Sequence, residues 1–326
     1  MASEYKKYLE QIHSKLEAPD SIIKEITEEA TGGEVISKRK IIAGEANEVY
    51  DLTLLGDAHV IARISRKDDE EFEREQWCIE KCHELGVPVS RILLLKKIEV
   101  NDEKLSICVQ EKIDGEPLER GAIHYGELDE VRLRKIINQA GELLGKIHSV
   151  SVDGFGKLNA IGHAPFKTYL EYFRDDVGTY EQSLWLAEAV NLDKNELRKV
   201  FDILQEEMNQ VSDIPAVLTH NDFAPKHIMV KGEAITGILD WGEASGNSPV
   251  NDFAKWAKWY PDIPLDWLKE GYPNKKLFEG NFDSIVKILK LKSDLGSIYH
   301  YYKEEYTEGV ERAKERLIQT LKSINV

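Results

Sequence analysis

The stretch from His220 to Trp241 limits what this chain can fold into more than any other. It reads His220-Asn221-Asp222-Phe223-Ala224-Pro225-Lys226-His227-Ile228-Met229-Val230, then a Gly232-Glu233 turn, then Ile235 to Leu239, which deliver Asp240 and Trp241. Two short apolar runs parted by a two-residue turn with glycine first predict a β-hairpin. In that register Val230 opposes Ile235 and His227 opposes Ile238. Side chains alternate along strands, so Asp240 falls on the face of His227, one diagonal step away, with Asp222 at the hairpin mouth. A carboxylate free to take a proton, beside two groups able to hold a hard cation, suits metal-assisted phosphoryl transfer. A lone His-x-Asp carries little weight, because Asp commonly caps turns. The inference rests on the ordered series: Asp, four residues, ligand, strand, turn, strand, Asp.

At these residues the chain resembles the aminoglycoside phosphotransferase family of kinase-like small-molecule phosphotransferases. That family carries His-Gly-Asp, four residues, Asn, an apolar strand, then Ile-Asp-Trp or similar. Here the pattern is His220-Asn221-Asp222, with His227 in the Asn place, and Leu239-Asp240-Trp241. The resemblance implies that Asp222 is the catalytic base, that His227 and Asp240 hold magnesium, and that ATP or GTP is the phosphoryl donor. The histidine departs from the pattern and leaves two roles open. It either ligates the metal or orients Asp222 while water fills the metal shell.

The rest of the chain divides by texture. Two amphipathic helices, 4–17 and 20–30, precede strand-like runs at 35–43, 48–55 and 59–64. A helix over 68–85 stops at Gly86, and strands at 92–99 and 105–112 follow. Beyond Asp114-Gly115-Glu116-Pro117 helical patterns dominate, at 127–149, 166–174, 180–190, 194–211, 250–259, 283–292 and 303–324. A β-rich first third, a hinge and a helical remainder predict an α+β, two-lobed protein with a cleft at the hinge. The resemblance implies the same protein-kinase-like architecture. Residues 1–112 form a small nucleotide-binding lobe with leading helices, and residues 113–326 a larger catalytic and substrate-binding helical lobe.

Within the first lobe, Arg63 on the third strand stands where protein kinases place a Lys that pairs phosphates and a helix Glu. Its guanidinium keeps its charge and grips phosphate oxygens bidentately, and its expected partner is Glu75. Gly44, Glu45, Ala46 and Asn47 occupy the place of a phosphate loop, whose backbone amides can cradle an anion with a single glycine. By resemblance, the Glu111 carbonyl and Ile113 amide read the nucleobase, and Asp252 orders the catalytic loop. His148, in Leu144-Gly145-Lys146-Ile147-His148, is expected to pack or to bond that loop.

Composition narrows the partners. With 43 basic and 59 acidic residues the net charge is −16, which disfavours nucleic acid and weakly favours a cationic acceptor through steering. No apolar run reaches the ~18 residues of a membrane span, and the start lacks a signal-peptide core, so a cytoplasmic protein is expected. Three cysteines form no disulfide framework; Cys78 and Cys82, four apart, are expected to be half-buried apolar residues. Trp256, Trp259, Tyr260, Trp267 and Tyr272 read mainly as core, some able to wall a pocket. Glu243, Asp175, Asp176 and Glu181 are acidic candidates for an acceptor site. Gly154-Phe155-Gly156-Lys157-Leu158 resembles a loop of hygromycin-type members of the family. The expected reaction is transfer to a hydroxyl of a small molecule, an aminoglycoside-like antibiotic first, a choline, amino-alcohol or sugar metabolite second. A non-catalytic nucleotide-binding module is a further alternative. A protein kinase is disfavoured by the lack of Asp-Phe-Gly and of an activation loop before residue 250.

Overall fold

The computed structural model describes residues 2–42, 47–67, 70–100, 102–119, 124–207 and 215–324. Helices α1 (Ala2–His13) and α2 (Asp20–Thr31) lead into strands β1 (Val35–Ile41), β2 (Glu48–Leu54) and β3 (His59–Ser65). Helix α3 (Glu71–Glu84) follows, then β4 (Ile92–Val100) and β5 (Glu103–Glu111). These five strands make one antiparallel sheet in the order β1-β2-β3-β5-β4. Along β3, Val60, Ala62 and Ile64 are buried in a cluster with Ile23 and Ile26 of α2. Alternation therefore puts Arg63 on the opposite face of the sheet, the face toward α3.

On α3, Glu71, Glu75, Cys78, Ile79 and Cys82 are buried, a stripe at helical spacing. Cys78, Ile79 and Cys82 join the core of the large lobe, not that of the sheet. The helix thus spans the two cores and carries Glu75 between them. Both cysteines are fully buried, more than expected, and burial pushes their thiols up.

The hinge passes through β6 (Glu116–Pro117), which pairs with β9 (Ile228–Lys231), itself paired with β10 (Ala234–Ile238). Gly115 has φ +116°, and a Cβ there would lie 2.5 Å from the Val230 carbonyl oxygen, so only glycine lets the hinge approach the hairpin. The large lobe holds α4 (Glu130–Ile147), β7 (Gly156–Lys157), α5 (Tyr169–Val177), α6 (Tyr180–Ala189), α7 (Lys194–Glu207) and β8 (Val217–Thr219). After the hairpin come β11 (Ser245–Asn247), α8 (Val250–Trp259), α9 (Leu265–Gly271), α10 (Phe282–Lys303) and α11 (Thr307–Ile324). Strands β7, β11 and β8 form a small sheet, and the loop of residues 220–227 leaves from the end of β8. Helix α9 was not expected from the sequence, and α10 runs eleven residues beyond the expected end at 292. No helix among the described residues is long and apolar enough to cross a membrane.

Candidate active site

The loop between β8 and β9 is held from beneath by Asp252, on the first turn of α8. Its carboxylate accepts the backbone N–H of His220 at 2.9 Å and of Asn221 at 2.7 Å, and His148 Nε2 at 3.0 Å. His148 Nδ1 in turn meets the Tyr272 hydroxyl at 3.1 Å. Burial works against the Asp252 charge, but the His148 and His220 interactions and the Asn221 amide hold its carboxyl below the usual range. His220 Nε2 donates to the Leu239 carbonyl at 2.9 Å, so its Nδ1 is free to accept the Asp222 N–H at 3.3 Å. Asn221 has φ +64°, a left-handed conformation that Gly and Asn tolerate. This explains how Asn fills the place of the family's Gly. Its side chain also accepts Asn251 Nδ2 at 2.6 Å.

Anchored this way, the loop presents Asp222 to the cleft. A single 3₁₀ turn, Pro225–His227, folds the chain back over it, with Pro225 supplying the fixed φ that starts the turn. His227 Nε2 lies 2.9 Å from Asp222 Oδ2 and 3.6 Å from Asp240 Oδ2. Asp222, His227 and Asp240 each offer one ligand atom, and these atoms lie within 4.8 Å of one another. Burial works to raise the Asp222 pKa, but His227 and Lys226 win and hold it far below the carboxylate range. Asp240, half-exposed, is held low against burial by His227 and Arg63.

The hairpin places these groups by a different register from the expected one. Gly232-Glu233 is the turn and Val230 does oppose Ile235, but the register shifts between Ile235 and Gly237, so Ile238 opposes Ile228. Thr236 is the extra residue of a β-bulge. His227 belongs to the 3₁₀ turn and its carbonyl takes the Leu239 N–H at 2.9 Å. Asp240 then turns back at φ +63°, and this backward turn, not simple alternation, accompanies its approach to His227.

From β3 and α3, Arg63 and Glu75 form a bidentate pair, with N–O distances of 2.5 and 2.9 Å. Burial disfavours the guanidinium charge, but the facing Glu75 carboxylate overcomes it and keeps Arg63 fully protonated. Asn47 is buried and donates to Glu71 at 2.9 Å, so its side chain ties the loop end to α3. Gly44, Glu45 and Ala46 lie outside the described residues. The Glu111 carbonyl accepts the Ser90 hydroxyl, and Ile113 packs on Gly237, where a Cβ would fall 2.3 Å from its Cδ1.

The other sequence candidates scatter. Asp176 pairs with Lys292 at 2.5 Å, and Glu243, Asp175 and Glu181 are exposed without joining Asp222. Trp256, Tyr260 and Tyr272 are buried core. Gly156 and Lys157 pair with β11, behind the site. Lys226 was passed over in the sequence. Its ammonium lies 2.7 Å from Asp222 Oδ2, and the signal was its place four residues beyond Asp222, one turn away.

A five-stranded antiparallel sheet with one inserted helix, joined by a hinge to a helical lobe, is the architecture of kinase-like phosphotransferases that act on small molecules. The family model of the phosphotransferase enzyme family (APH) matches residues 39–272, and the chain belongs to that family, as a small-molecule kinase with an alcohol group as acceptor. No match was found among curated proteins. Among solved structures, a thermostable mutant of aminoglycoside phosphotransferase APH(4)-Ia in its apo form superposes with TM-score 0.75 at 17% identity, covering 92% of this chain and 98% of that one. A putative fructosamine-3-kinase from Thermobifida fusca YX-ER1 gives TM-score 0.64 at 17% identity, covering 90% and 98%. APH(2")-IIa in complex with gentamicin gives 0.63 at 14%, covering 93% and 97%.

Proposed function

We propose that this chain moves the γ-phosphate of ATP or GTP to a hydroxyl of a small molecule, with an aminoglycoside-like compound as the first acceptor class. The observation that carries the reading is the convergence of Asp222, His227 and Asp240 within 4.8 Å, beside the bidentate Arg63–Glu75 pair. Asp222 accepts the hydroxyl proton as the acceptor oxygen bonds to the γ-phosphorus. The bond from that phosphorus to the bridging β–γ oxygen breaks, and the nucleoside diphosphate leaves. Arg63 holds phosphate oxygens while Glu75 fixes its fork. Residues 1–112 serve as the nucleotide lobe, with Asn47 at the phosphate end and Glu111 and Ile113 at the nucleobase. Residues 113–326 carry the base and the acceptor site.

The donor set of two carboxylates and one imidazole, with Asp240 half-exposed to water, fits a divalent cation between magnesium and manganese in preference. Asp240 and His227 would hold it, and when bound it supplies charge neutralisation on the phosphate oxygens. The net charge of −16 and the likeness to APH(4)-Ia support a cationic antibiotic. The likeness to a putative fructosamine-3-kinase supports the second reading, a metabolite kinase. A phosphate-transfer screen separates them, with magnesium ATP or GTP against aminoglycosides, macrolides, amino alcohols and sugars. Phosphorylation of the amino alcohols or sugars alone moves the chain to the metabolite class. Nucleotide binding without transfer to any acceptor or to water makes it a non-catalytic module.

A further inference from the structure

The Asp222 carboxylate has two cationic or imidazole partners on one oxygen and none on the other. Lys226 Nζ at 2.7 Å and His227 Nε2 at 2.9 Å both meet Oδ2, while Oδ1 takes no hydrogen bond from the described residues. That asymmetry matters because His227 has a second claim on it. The same Nε2 faces Asp240 at 3.6 Å, and a nitrogen that gives its lone pair to a metal cannot also donate a proton to Asp222. With His227 committed to a metal, Lys226 is the donor left to fix Oδ2. Lys226 is only 28% exposed, and the Pro225–His227 turn keeps it over the carboxylate.

We propose that Lys226 is a positioning residue for phosphoryl transfer, an inference that rests on the function proposed above. It holds Oδ2 so that Oδ1 faces the acceptor hydroxyl, and it sets a fixed positive charge beside the phosphoryl group in flight. The acceptor oxygen must approach both Oδ1 and the phosphorus to about 3–3.5 Å. A donor already bonded to the same carboxylate is therefore within a side chain's reach of the equatorial oxygens. Charge placed where negative charge develops acts on the transition state more than on bound nucleotide.

The test compares magnesium ADP with magnesium ADP plus aluminium fluoride, which mimics the phosphoryl group in transfer, by calorimetry on the full chain; GDP is run in parallel. In the wild type, fluoride tightens nucleotide binding. Lys226→Met is expected to leave magnesium ADP affinity within about twofold and to lose on the order of a hundredfold of the fluoride tightening. Lys226→Arg is expected to restore most of it. Full tightening in Lys226→Met overturns the role of Lys226 alone. So does equal weakening of both ligands with a lowered melting temperature in both variants, since that marks a structural residue. A wild type that binds nucleotide but shows no tightening, or binds none, overturns the phosphotransfer reading and Lys226 with it.

Discussion

Asp222 and Asp252 are thirty residues apart, sit at the same loop and are both held in the charged form, yet they do opposite things. Asp252 is completely buried and its oxygens are spent on two backbone amides and His148. Asp222 is about a quarter exposed and keeps one oxygen without a partner among the described residues. A carboxylate whose acceptors are filled by the fold builds structure. A carboxylate pinned at one oxygen and open at the other has the form of a proton acceptor, the role proposed for Asp222.

The sharpest way to break that contrast is to neutralise Asp222. Asp222→Asn is expected to lower phosphate transfer by about a thousandfold while the melting temperature and magnesium-nucleotide affinity stay close to wild type. Near-normal turnover by the pure variant would take Asp222 out of the proton-transfer role and erase the distinction.

Asp252→Ala should reverse the pattern. Removing one partner of a buried charged network costs roughly 3–5 kcal/mol, a large share of a stability of about 5–15 kcal/mol. The depressed Asp252 pKa also gives the effect a sign with pH. Stability from a carboxylate held low is present above its unfolded value of about 3.9 and is lost as pH falls through the folded value. The gap between wild type and Asp252→Ala in thermal unfolding should therefore narrow below about pH 4. A gap that stays constant into acid would mean that Asp252 acts by packing and not by charge.

The sequence revealed one half of this comparison more readily than the other. Asp222, His227 and Asp240 lie within one loop and hairpin, so local turn chemistry was enough to bring them together. The Thr236 bulge was not legible, because the chain's alternation gives no sign of which residue a ladder will skip. The reach of Asp252 and His148 under the loop is a contact across 104 residues, which only the family pattern suggested. The short strands β6, β7 and β11 were missed for the same reason. Two or three residues pair there only because distant chain arrives beside them. Lys226 was legible as an i,i+4 partner, but its neighbours carried the stronger motif. The acceptor site stayed hidden, since Trp256, Tyr260 and Tyr272 serve the core and the acidic candidates do not converge.

His227 offers a subtler handle on the open side. Imidazole offers a metal a nitrogen, whereas an Asn carbonyl offers the oxygen that magnesium prefers. His227→Asn is therefore expected to keep metal-dependent transfer and to shift preference from manganese or cobalt toward magnesium by several-fold. If the metal order is unchanged, His227 serves only to orient Asp222, and Asp240 meets the metal with water.

The smallest expected effect separates the two ends of the cleft by their charge. The chain carries −16 overall, a field that draws in a cationic acceptor and opposes an anionic nucleotide. On the proposed function the nucleotide relies instead on short-range contacts such as Arg63, whose pair with Glu75 is buried and poorly screened. Raising ionic strength shortens the Debye length to about 8 Å at 0.15 M. For a cationic acceptor kcat/KM is then expected to fall several-fold, while kcat/KM for the magnesium nucleotide stays level or rises. Measuring both on one preparation controls for general salt inhibition, which lowers them together. A flat acceptor profile would show that the acidic surface does not steer, and that acceptor choice resides in contacts within the pocket.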